Sequence, residues 1–331
     1  MNKAAANSAE QDIESVPVSK IPVGVSSCLL GERVRYDGGH KGHSYITRTL
    51  GEYFEFYPFC PELNIGLGIP RKPIRLARSA SNDVICVEIN DPEKEYTDKL
   101  RDCANEQQAW HSKLCGYILK KDSPSCGMER VKIWDKAMPV REGVGIYAQQ
   151  MMQNFPYLPV EEEGRMGDAV LRENFIQRVF VMRRWYRLQE EGLTIAALID
   201  FHARHKLIIM SHDQNRYREL GRFVAGITKD TLHENSGQYL LQLMEALKIR
   251  ATRKNHVNVL QHIQGYLKNY LDKDDKEELR QTIENYRIGQ LPLIVPITLL
   301  NHFFRKHPDE YIANSWYMNP YPAELCLQNT I

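Results

Sequence analysis

The sequence predicts a layered α/β domain followed by an all-α domain. Three observations lead to this. Short apolar runs alternate with a helical stretch before about residue 120, glycine and proline interrupt the same region often, and beyond about residue 161 apolar residues recur with a helical 3.6-residue period. A chain of 331 residues, 43% of them apolar, can fill two modest cores. We therefore expect one domain at 21–165 and a second at 170–331.

The first domain contains three apolar runs with the length of buried strands, at residues 21–26, 84–89 and 114–119. Residues 91–110, between the last two runs, have the pattern of a helix. Alternating strands and helices are typical of a mostly parallel, Rossmann-like sheet, whose strand-end loops gather at one edge. Residues 1–20 are polar and lack periodicity, so we expect a flexible leader outside the fold.

The pattern of the second domain predicts helices and no strands. Residues 247–271 illustrate the pattern, because one face of a helix over this range would be apolar. That face consists of Val257, Leu260, Ile263, Leu267 and Tyr270. Pro292 and Pro296 are expected to bound a short apolar segment, which a last helix at 297–305 follows.

Charge and hydropathy limit the possible partners. The formal net charge is +1, from 43 Lys and Arg against 42 Asp and Glu, so any nucleic acid must be bound by a local basic patch. No stretch reaches the ~18 uninterrupted apolar residues of a membrane span, and residues 1–20 lack an apolar segment of signal-peptide length. We expect a cytoplasmic protein with no membrane partner.

Three of the seven cysteines, Cys28, Cys60 and Cys126, stand in loop-like contexts. Glycine and proline beside a cysteine hold the backbone in turns that expose the sulfur, as a thiolate-ligated metal centre requires. Their wide spacing, without a Cys-x-x-Cys pair, leaves simple burial of each one open. An odd number of cysteines in a protein expected in the cytoplasm argues against a disulfide framework.

The other four cysteines have different surroundings. Cys86, Cys103 and Cys115 lie beside apolar neighbours in strand and helix patterns, so we expect them to be small core residues. Cys326 stands near the end of the sequence and has no motif around it. We therefore expect no ligand role for any of the four.

Four motifs in a fixed order resemble those of the bacterial thiouracil desulfidases, and the similarity covers about residues 21–160. The motifs are Ser-Ser-Cys-Leu-Leu-Gly at 26–31, Arg-Tyr-Asp-Gly at 35–38, Cys-Pro-Glu at 60–62 and Ser-Pro-Ser-Cys-Gly at 123–127. In that family three cysteines bind a 4Fe-4S cluster and leave one iron without a protein ligand. The resemblance therefore implies that Cys28, Cys60 and Cys126 are the metal ligands.

Replacing a thiocarbonyl sulfur by oxygen requires a sulfur acceptor and controlled proton transfer. We expect Glu62, two residues after Cys60, to transfer protons, and the resemblance also implies a catalytic glutamate at this position. The resemblance favours Ser123 as a catalytic residue that contacts the substrate, while Ser125 and Asp37 are expected to bind the base. Turn capping explains the serines equally well, and an Asx turn explains Asp37.

The helical half resembles the accessory domain of the tRNA 4-thiouridine desulfidases, with Phe-His-Ala-Arg-His-Lys at 201–206 and Leu-Gly-Arg-Phe-Val at 220–224 as the recognisable stretches. Between residues 170 and 331, 22 Lys and Arg stand against 18 Asp and Glu. Cations and aromatics mix in four segments, at 183–187, 202–206, 216–218 and 248–254. That mixture suits phosphate pairing and base stacking, although a solvated helix face is the alternative.

Two histidines of the same half, His202 and His205, are spaced so that they share one helix face. No further clustered ligand accompanies them, and the sequence lacks His-Glu-x-x-His. We expect a structural or RNA-contacting role rather than a second metal site.

The sequence thus leads to one main function and two alternatives. The main hypothesis is an iron-sulfur desulfidase that converts 4-thiouridine in tRNA to uridine and releases sulfide. The first alternative keeps the chemistry but takes a free thiopyrimidine such as 2-thiouracil. The second is a nucleic-acid-binding or regulatory protein in which the three cysteines hold a structural iron-sulfur or zinc site.

Overall fold

The structure is a computed structural model that describes residues 20–135 and 138–329. The leader expected at 1–20 therefore lies outside the described residues, apart from Lys20. The strands are β1 Ile21–Ser26, β2 Phe54–Phe59, β3 Ile74–Arg78, β4 Val84–Glu88, β5 Gly116–Leu119, β6 Val131–Asp135, β7 Met138–Gly143 and β8 Val160–Glu162. The helices of the first half are α1 Pro61–Asn64, α2 Thr97–Glu106, α3 Gln108–His111 and α4 Ile146–Asn154. The helices of the second half are α5 Ala169–Glu190, α6 Ile195–His212, α7 Gln214–Ala225, α8 Leu232–Lys248, α9 Arg253–Tyr266, α10 Lys273–Arg287, α11 Ile294–Lys306 and α12 Glu310–Ala313.

The strands form two sheets, and the expected α/β domain followed by an all-α region is confirmed. The parallel sheet has the strand order β2-β1-β5-β8, and every neighbouring pair in it is parallel. The mixed sheet has the order β4-β3-β6-β7, with two antiparallel hairpins joined by a parallel β3–β6 pair. The strand expected at 84–89 exists as β4, but it lies in the mixed sheet rather than beside β1.

Three helix boundaries differ from the sequence prediction. The helix expected at 91–110 begins only at Thr97. The Thr97 side chain accepts a hydrogen bond from the Cys86 backbone N–H (2.9 Å), so the segment before the helix is tied to β4. The helix expected across 247–271 is two helices, because the Thr252 side chain caps a new helix start at the Asn255 N–H. The last long helix begins at Ile294 and tolerates Pro296 in its first turn, where backbone N–H groups need no helical partner.

The helical half packs directly onto the parallel sheet through α5. Phe175 and Val179 of this helix are fully buried against β5. A side chain at Gly116 would place its Cβ 2.7 Å from Val179, so the missing side chain lets the helix lie close to the strand. Each of these buried apolar side chains contributes roughly 1.5–3 kcal/mol. One continuous core therefore joins the parallel sheet to the helices.

None of the described helices is both long enough and apolar enough to span a membrane.

A partly buried carboxyl group in the helical half predicts a pH effect on stability. Burial raises the pKa of Glu173 to about 7, and the hydrogen bond donated by the Tyr321 hydroxyl (2.6 Å) only partly opposes this. Since the ordinary value is 4.5, the folded state holds the proton more tightly than the unfolded chain, and stability is lost as the pH rises from about 4.5 through about 7. Glu173→Gln keeps the hydrogen-bond acceptor, so we expect it to stabilise the protein at pH 8 by roughly 2 kcal/mol and to have little effect at pH 5.

Thermal unfolding at the two pH values measures this effect. Glu234→Gln is the matched control, because Glu234 is exposed on α8 and should show no pH-dependent difference. An equal change in Tm for Glu173→Gln at pH 5 and pH 8 would contradict the explanation.

Candidate active site

The three loop cysteines come together at one edge of the parallel sheet. Cys28 lies two residues beyond the end of β1, Cys60 directly follows β2, and Cys126 lies in the loop that follows β5. Because the carboxyl ends of parallel strands meet at one edge, these loops converge. All three cysteines line a cavity of about 310 Å³, which we call the cysteine cavity. Its wall also includes Glu62, Ser123 and Ser125.

A tight turn fixes the backbone at Cys28. Residues 27–30 form a single 3₁₀ turn that ends at Gly31, where φ is +97°, a value that favours glycine. The Cys28 carbonyl accepts hydrogen bonds from the Gly31 N–H (3.4 Å) and the Lys41 N–H (2.9 Å). The second bond ties the returning chain to the cysteine, so Lys41 also reaches the cavity wall.

Cys60 is positioned by the start of the short helix α1. Pro61 takes the first helical position, where its missing N–H costs nothing. The Cys60 carbonyl accepts a hydrogen bond from the Asn64 N–H (3.1 Å), which closes the turn. Glu62 occupies the same turn and therefore faces the same region as the cysteine.

The loop that carries Cys126 is held by the amino-terminal end of α4. The Ile146 N–H donates to the Pro124 carbonyl (3.0 Å), and the Ala148 N–H donates to the Ser125 carbonyl (3.1 Å). These helix N–H groups have no partner inside their own helix, so the loop satisfies them and is fixed in return. A Cβ at Gly145 would lie 2.5 Å from the Ser125 backbone, which shows how closely the two segments pack.

Glu62 is held between an arginine and a serine. Its Oε2 accepts hydrogen bonds from Nε (2.9 Å) and Nη2 (2.6 Å) of Arg71, and its Oε1 accepts one from the Ser125 hydroxyl (2.7 Å). The side chains of Arg71 and Glu62 are only 5% and 13% exposed. Nη1 of Arg71 donates to the carbonyls of Val34 (2.9 Å) and Gly68 (3.0 Å), so the arginine also anchors the loop above the cavity.

The two serines extend this network towards the cavity. Since the Ser125 hydroxyl donates to Glu62, its contact with the Ser123 oxygen (3.0 Å) requires the Ser123 hydroxyl to be the donor. The Ser123 oxygen in turn accepts from the Cys126 N–H (3.1 Å). Ser125 is fully buried, whereas Ser123 is partly exposed. The structure therefore contains a chain of hydroxyl groups from the cavity wall to the Glu62 carboxylate.

Asp37 is placed differently from the other sequence-derived site residues. It lies outside the cavity wall on an exposed turn, where its carboxylate accepts a hydrogen bond from the Gly39 N–H (3.0 Å) and pairs with Arg35 (3.6 Å). That hydrogen bond is the first cause of the lowered pKa of Asp37. The geometry is that of an Asx turn. Its neighbours Arg35 and Tyr36 line the cavity instead.

Burial and nearby cations act on the three thiols in opposite directions. Burial raises the pKa of Cys28 to about 11, while the Lys120 ammonium and the Arg35 guanidinium lower it. Burial also raises the pKa of Cys60 and, more strongly, that of Cys126. The neighbouring Cys60 thiol raises the pKa of Cys126 further. Thiolates at this site therefore need a cationic partner.

The three thiols are all free of disulfide bonds. In the described part of the chain, no three His, Cys, Asp or Glu side chains lie close enough together to hold a single metal ion, so the three cysteines surround the cavity without forming a site for one ion. The sequence predictions for Cys86, Cys103 and Cys115 agree with the structure, which buries all three in apolar clusters, and Cys326 is exposed.

Sequence reasoning missed two cations of the site. Arg71 has no motif of its own, although it directly follows the glycine- and proline-rich loop at 66–70, which was a signal for a shaped segment. Lys120 directly follows β5, and its ammonium group pairs with Glu163 beyond β8. The backbone N–H of Lys120 donates to the Ser26 side chain (3.0 Å), which locks the ends of β1 and β5 together. Both residues act across the sheet edge, so their partners cannot be identified from local sequence.

The histidines and one predicted stacking residue of the helical half are buried. His202 contacts the Tyr239 hydroxyl (3.1 Å) and His205 contacts the Phe201 carbonyl (2.7 Å), both through Nδ1. Burial lowers the pKa of His202 to about 4 and that of His205 further. Trp185, which the sequence suggested for base stacking, is 1% exposed. The structural role expected for the histidines agrees with these contacts, whereas Trp185 is not available to RNA in this fold.

Two curated relatives share the sequence over large parts of their own length. One is described as "Uncharacterized protein YbgA" of Escherichia coli (strain K12), which is 34% identical over 154 residues, covering 46% of this chain and 91% of the relative. The other is "Uncharacterized protein YbbK" of Bacillus subtilis (strain 168), which is 32% identical over 112 residues, covering 31% of this chain and 71% of the relative.

Two family models match separate parts of the chain. The model described as 2-thiouracil desulfurase matches residues 23–163, the region that builds the cysteine cavity. The chain belongs to the 2-thiouracil desulfurase family. A model described as a protein of unknown function (DUF1722) matches residues 206–322 of the helical half, so this desulfurase-family chain has a two-domain form. A solved structure described as a 4Fe-4S-dependent thiouracil desulfidase, TudS, is 27% identical, with 45% of this chain and 95% of that chain covered and a TM-score of 0.37.

Proposed function

We propose that this desulfurase-family chain is an iron-sulfur enzyme that converts 4-thiouridine in tRNA to uridine and releases sulfide. The observation that carries the proposal is the convergence of three free cysteines and Glu62 on one cavity at the carboxyl edge of the parallel sheet. Family membership supports desulfurisation of a thiolated uracil. The cluster, the tRNA substrate and the residue roles are our inference.

The donor set fits a cluster held by Cys28, Cys60 and Cys126. Three soft thiol ligands on three separate loops line one cavity, and cations near Cys28 and Cys60 partly oppose the rise in pKa that burial causes. Bound by these three cysteines, such a cluster would supply a soft Lewis acid with a preference for the substrate sulfur over oxygen. The related protein TudS is described as dependent on a 4Fe-4S cluster, which is the kind of cluster we propose here.

The chain itself supplies the proton transfers. In the overall reaction, water adds at the thiocarbonyl carbon, the C=S bond is replaced by C=O, and hydrogen sulfide leaves, so no electrons are gained or lost. Glu62 takes a proton from the attacking water and returns one to the leaving sulfur. The hydroxyls of Ser125 and Ser123 connect its carboxylate to the cavity wall and so provide a route for that proton. Arg71 holds the carboxylate in place.

The rim of the cysteine cavity supports a polynucleotide substrate. Arg35, Lys41 and Lys121 line the cavity, and the last two are exposed. Tyr36 is 42% exposed, and the Arg35 guanidinium lies 5.4 Å from the centre of its ring. Exposed cations bind phosphates, and an exposed aromatic ring stacks on a base, so the rim suits RNA around the modified nucleotide.

Some of the basic segments of the helical half are also accessible. Arg216 and Arg218 of α7 are exposed, as are Lys248 at the end of α8 and Arg250 beyond it. The charge of +4 over residues 170–331 has the right sign for RNA. We propose that this half positions the tRNA, and that the protein acts in the cytoplasm, where thiolated tRNA is found.

Sulfide release from two substrates tests the proposal. Anaerobically purified protein should release sulfide from tRNA that contains 4-thiouridine, and kcat/KM should exceed that for free 2-thiouracil by at least roughly tenfold because the RNA adds phosphate contacts. The same tRNA without the thio group is the control for background sulfide. Faster turnover of the free base would favour the thiopyrimidine alternative, and no sulfide from either substrate would favour a structural metal site.

Replacement of Arg71 tests the positioning of Glu62. We expect Arg71→Met to lower kcat by roughly 10–100-fold with little change in KM, because a catalytic group displaced by about 1 Å costs about that much. Arg71→Lys keeps the charge but cannot donate two hydrogen bonds from a planar group to Glu62, so it should recover only part of the rate. Arg101→Met on the exposed face of α2 is the control. A normal kcat for Arg71→Met would show that Glu62 needs no such support.

A further inference from the structure

We propose that a second cavity, at the opposite end of the parallel sheet, binds an organic phosphate with a flat ring, of the nucleoside 5′-monophosphate class. This arginine cavity has a volume of about 570 Å³ and lies between α5, α6 and the segment at 316–322. It is independent of the proposed desulfidase function.

The location separates this cavity from the cysteine cavity. Ile21, the first residue of β1, lines the arginine cavity, whereas Cys28 lies beyond the other end of the same strand. Six strand residues at about 3.3 Å each span about 20 Å. One small ligand therefore cannot occupy both cavities.

Four arginines give the cavity a positive charge. Arg183, Arg184 and Arg187 come from successive turns of α5, and Arg204 comes from α6. Two acidic residues, Asp200 and Glu191, also line the cavity, which leaves an excess of two positive charges among the lining residues, and Glu190 beside the cavity pairs with Arg183 (3.2 Å). Asp200 is already paired with Arg204 (2.7 Å). A phosphate monoester carries about −1.5 to −2 at neutral pH, which matches the excess.

The Arg184 guanidinium is the main candidate group for binding the phosphate. Among residues 20–135 and 138–329, no carboxylate lies within 4.0 Å of its guanidinium nitrogens. Its Nη2 donates to the Pro320 carbonyl, but its buried Nη1 has no hydrogen-bond partner among the described residues. Nε of Arg183, on the same wall, is likewise buried without a partner. Burial without a counter-charge also lowers the pKa of Arg184 to about 9.

A buried guanidinium without an acid is costly to the folded state unless an anion joins it. The planar N–H donors of a guanidinium form bidentate hydrogen bonds with a phosphate. The Arg184 guanidinium already lies 3.9 Å from the centre of the Trp316 ring, which fixes its plane. The arginine is thus oriented before any ligand arrives.

The other residues that line the arginine cavity favour a ligand with a flat ring over inorganic phosphate. Phe180, Phe201, Trp316 and Tyr321 line the cavity with aromatic side chains. The volume lies within the range of pockets for small organic ligands, and apolar walls with a few placed polar groups are typical of them. The cavity therefore favours a nucleotide over inorganic phosphate.

Calorimetric titration of the full chain with adenosine 5′-monophosphate tests the proposal. This probe has a purine base, so it differs from the pyrimidine expected in the cysteine cavity. We expect measurable binding, at least tenfold weaker binding of adenosine and of inorganic phosphate, and at least a tenfold loss of affinity in Arg184→Met. Arg187→Met should also weaken binding, and because Arg187 is exposed this variant should fold normally. Arg287→Met, on the exposed surface of α10, should bind like the unchanged protein.

Two results would overturn the proposal: no binding of the nucleotide by the unchanged protein, or equal affinity in both the Arg184→Met and the Arg187→Met variants. Competition identifies the source of the phosphate. Displacement of the nucleotide by 5′-phosphorylated RNA but not by dephosphorylated RNA would support the same chemistry at an RNA end, and no displacement by either would support a free nucleotide. Because the readout is nucleotide affinity and not sulfide, failure here leaves the proposed desulfidase function untouched.

Discussion

Replacing Glu62 by glutamine should abolish sulfide release and leave the metal content unchanged. Glutamine has the same shape, and its carbonyl oxygen can accept the Ser125 hydrogen bond, but it cannot exchange a proton and it loses the ion pair with Arg71. General acid-base catalysis contributes about 10²–10⁴-fold to a rate, so we expect kcat to fall by at least that factor. The measurement is sulfide release by anaerobic protein together with its visible absorbance.

Glu55→Gln is the matched control for this variant. Glu55 is exposed on β2, five residues before Cys60, so its replacement should change neither the rate nor the absorbance. Wild-type turnover by Glu62→Gln would remove the glutamate from the mechanism, and loss of the absorbance would assign it to cluster binding instead.

Replacing Cys60 by alanine should remove both the cluster and the activity. Cys60 is the most accessible of the three thiols, and the turn around it depends on Pro61 and on the Cys60 carbonyl, which alanine preserves. Two remaining thiols cannot hold a cluster that uses three, so we expect a colourless protein without sulfide release. Folding should persist, since the side chain contributes little apolar packing at this position.

Cys115→Ala controls for the loss of a thiol in the same sheet. Cys115 lies in the core next to β5 and away from the cysteine cavity, so its replacement should cost some stability but keep the colour and the activity. Retained colour and normal turnover in Cys60→Ala would show that this cysteine is not a ligand.

The sequence predicted the fold class correctly, and the structure places most of the candidate site residues at one cavity, while the roles of these residues stay predictions. The convergence of Cys28 and Cys126 was foreseeable because each lies beyond a predicted strand, and the carboxyl ends of parallel strands share an edge, whereas the strand before Cys60 was not predicted. Glu62 and Ser123 followed from their places on the same turns. Asp37 was expected at the cavity from its closeness in sequence to Cys28, but the turn at 37–39 faces solvent.

The features that the sequence did not predict depend on contacts between segments that are distant in the chain. The link between Arg71 and the carbonyl of Val34 spans 37 positions, and neither residue stands in a recognisable motif. The other three strands of the mixed sheet, β3, β6 and β7, were missed because they are short and only partly buried, so their pattern resembles that of loops. Trp185 stands in a segment that looked like an RNA contact, because a charged neighbour in sequence does not show which side of a helix faces the core. For the two buried histidines, the structural role was the correct one of the two expected.

Metal analysis of the anaerobically purified protein tests the central claim most directly. If Cys28, Cys60 and Cys126 hold an iron-sulfur cluster, the protein should contain iron and acid-labile sulfide in similar amounts, and alanine at any of the three positions should remove both. A protein that binds zinc through the same cysteines, or that fails to take up iron and sulfide on anaerobic reconstitution, would contradict the account.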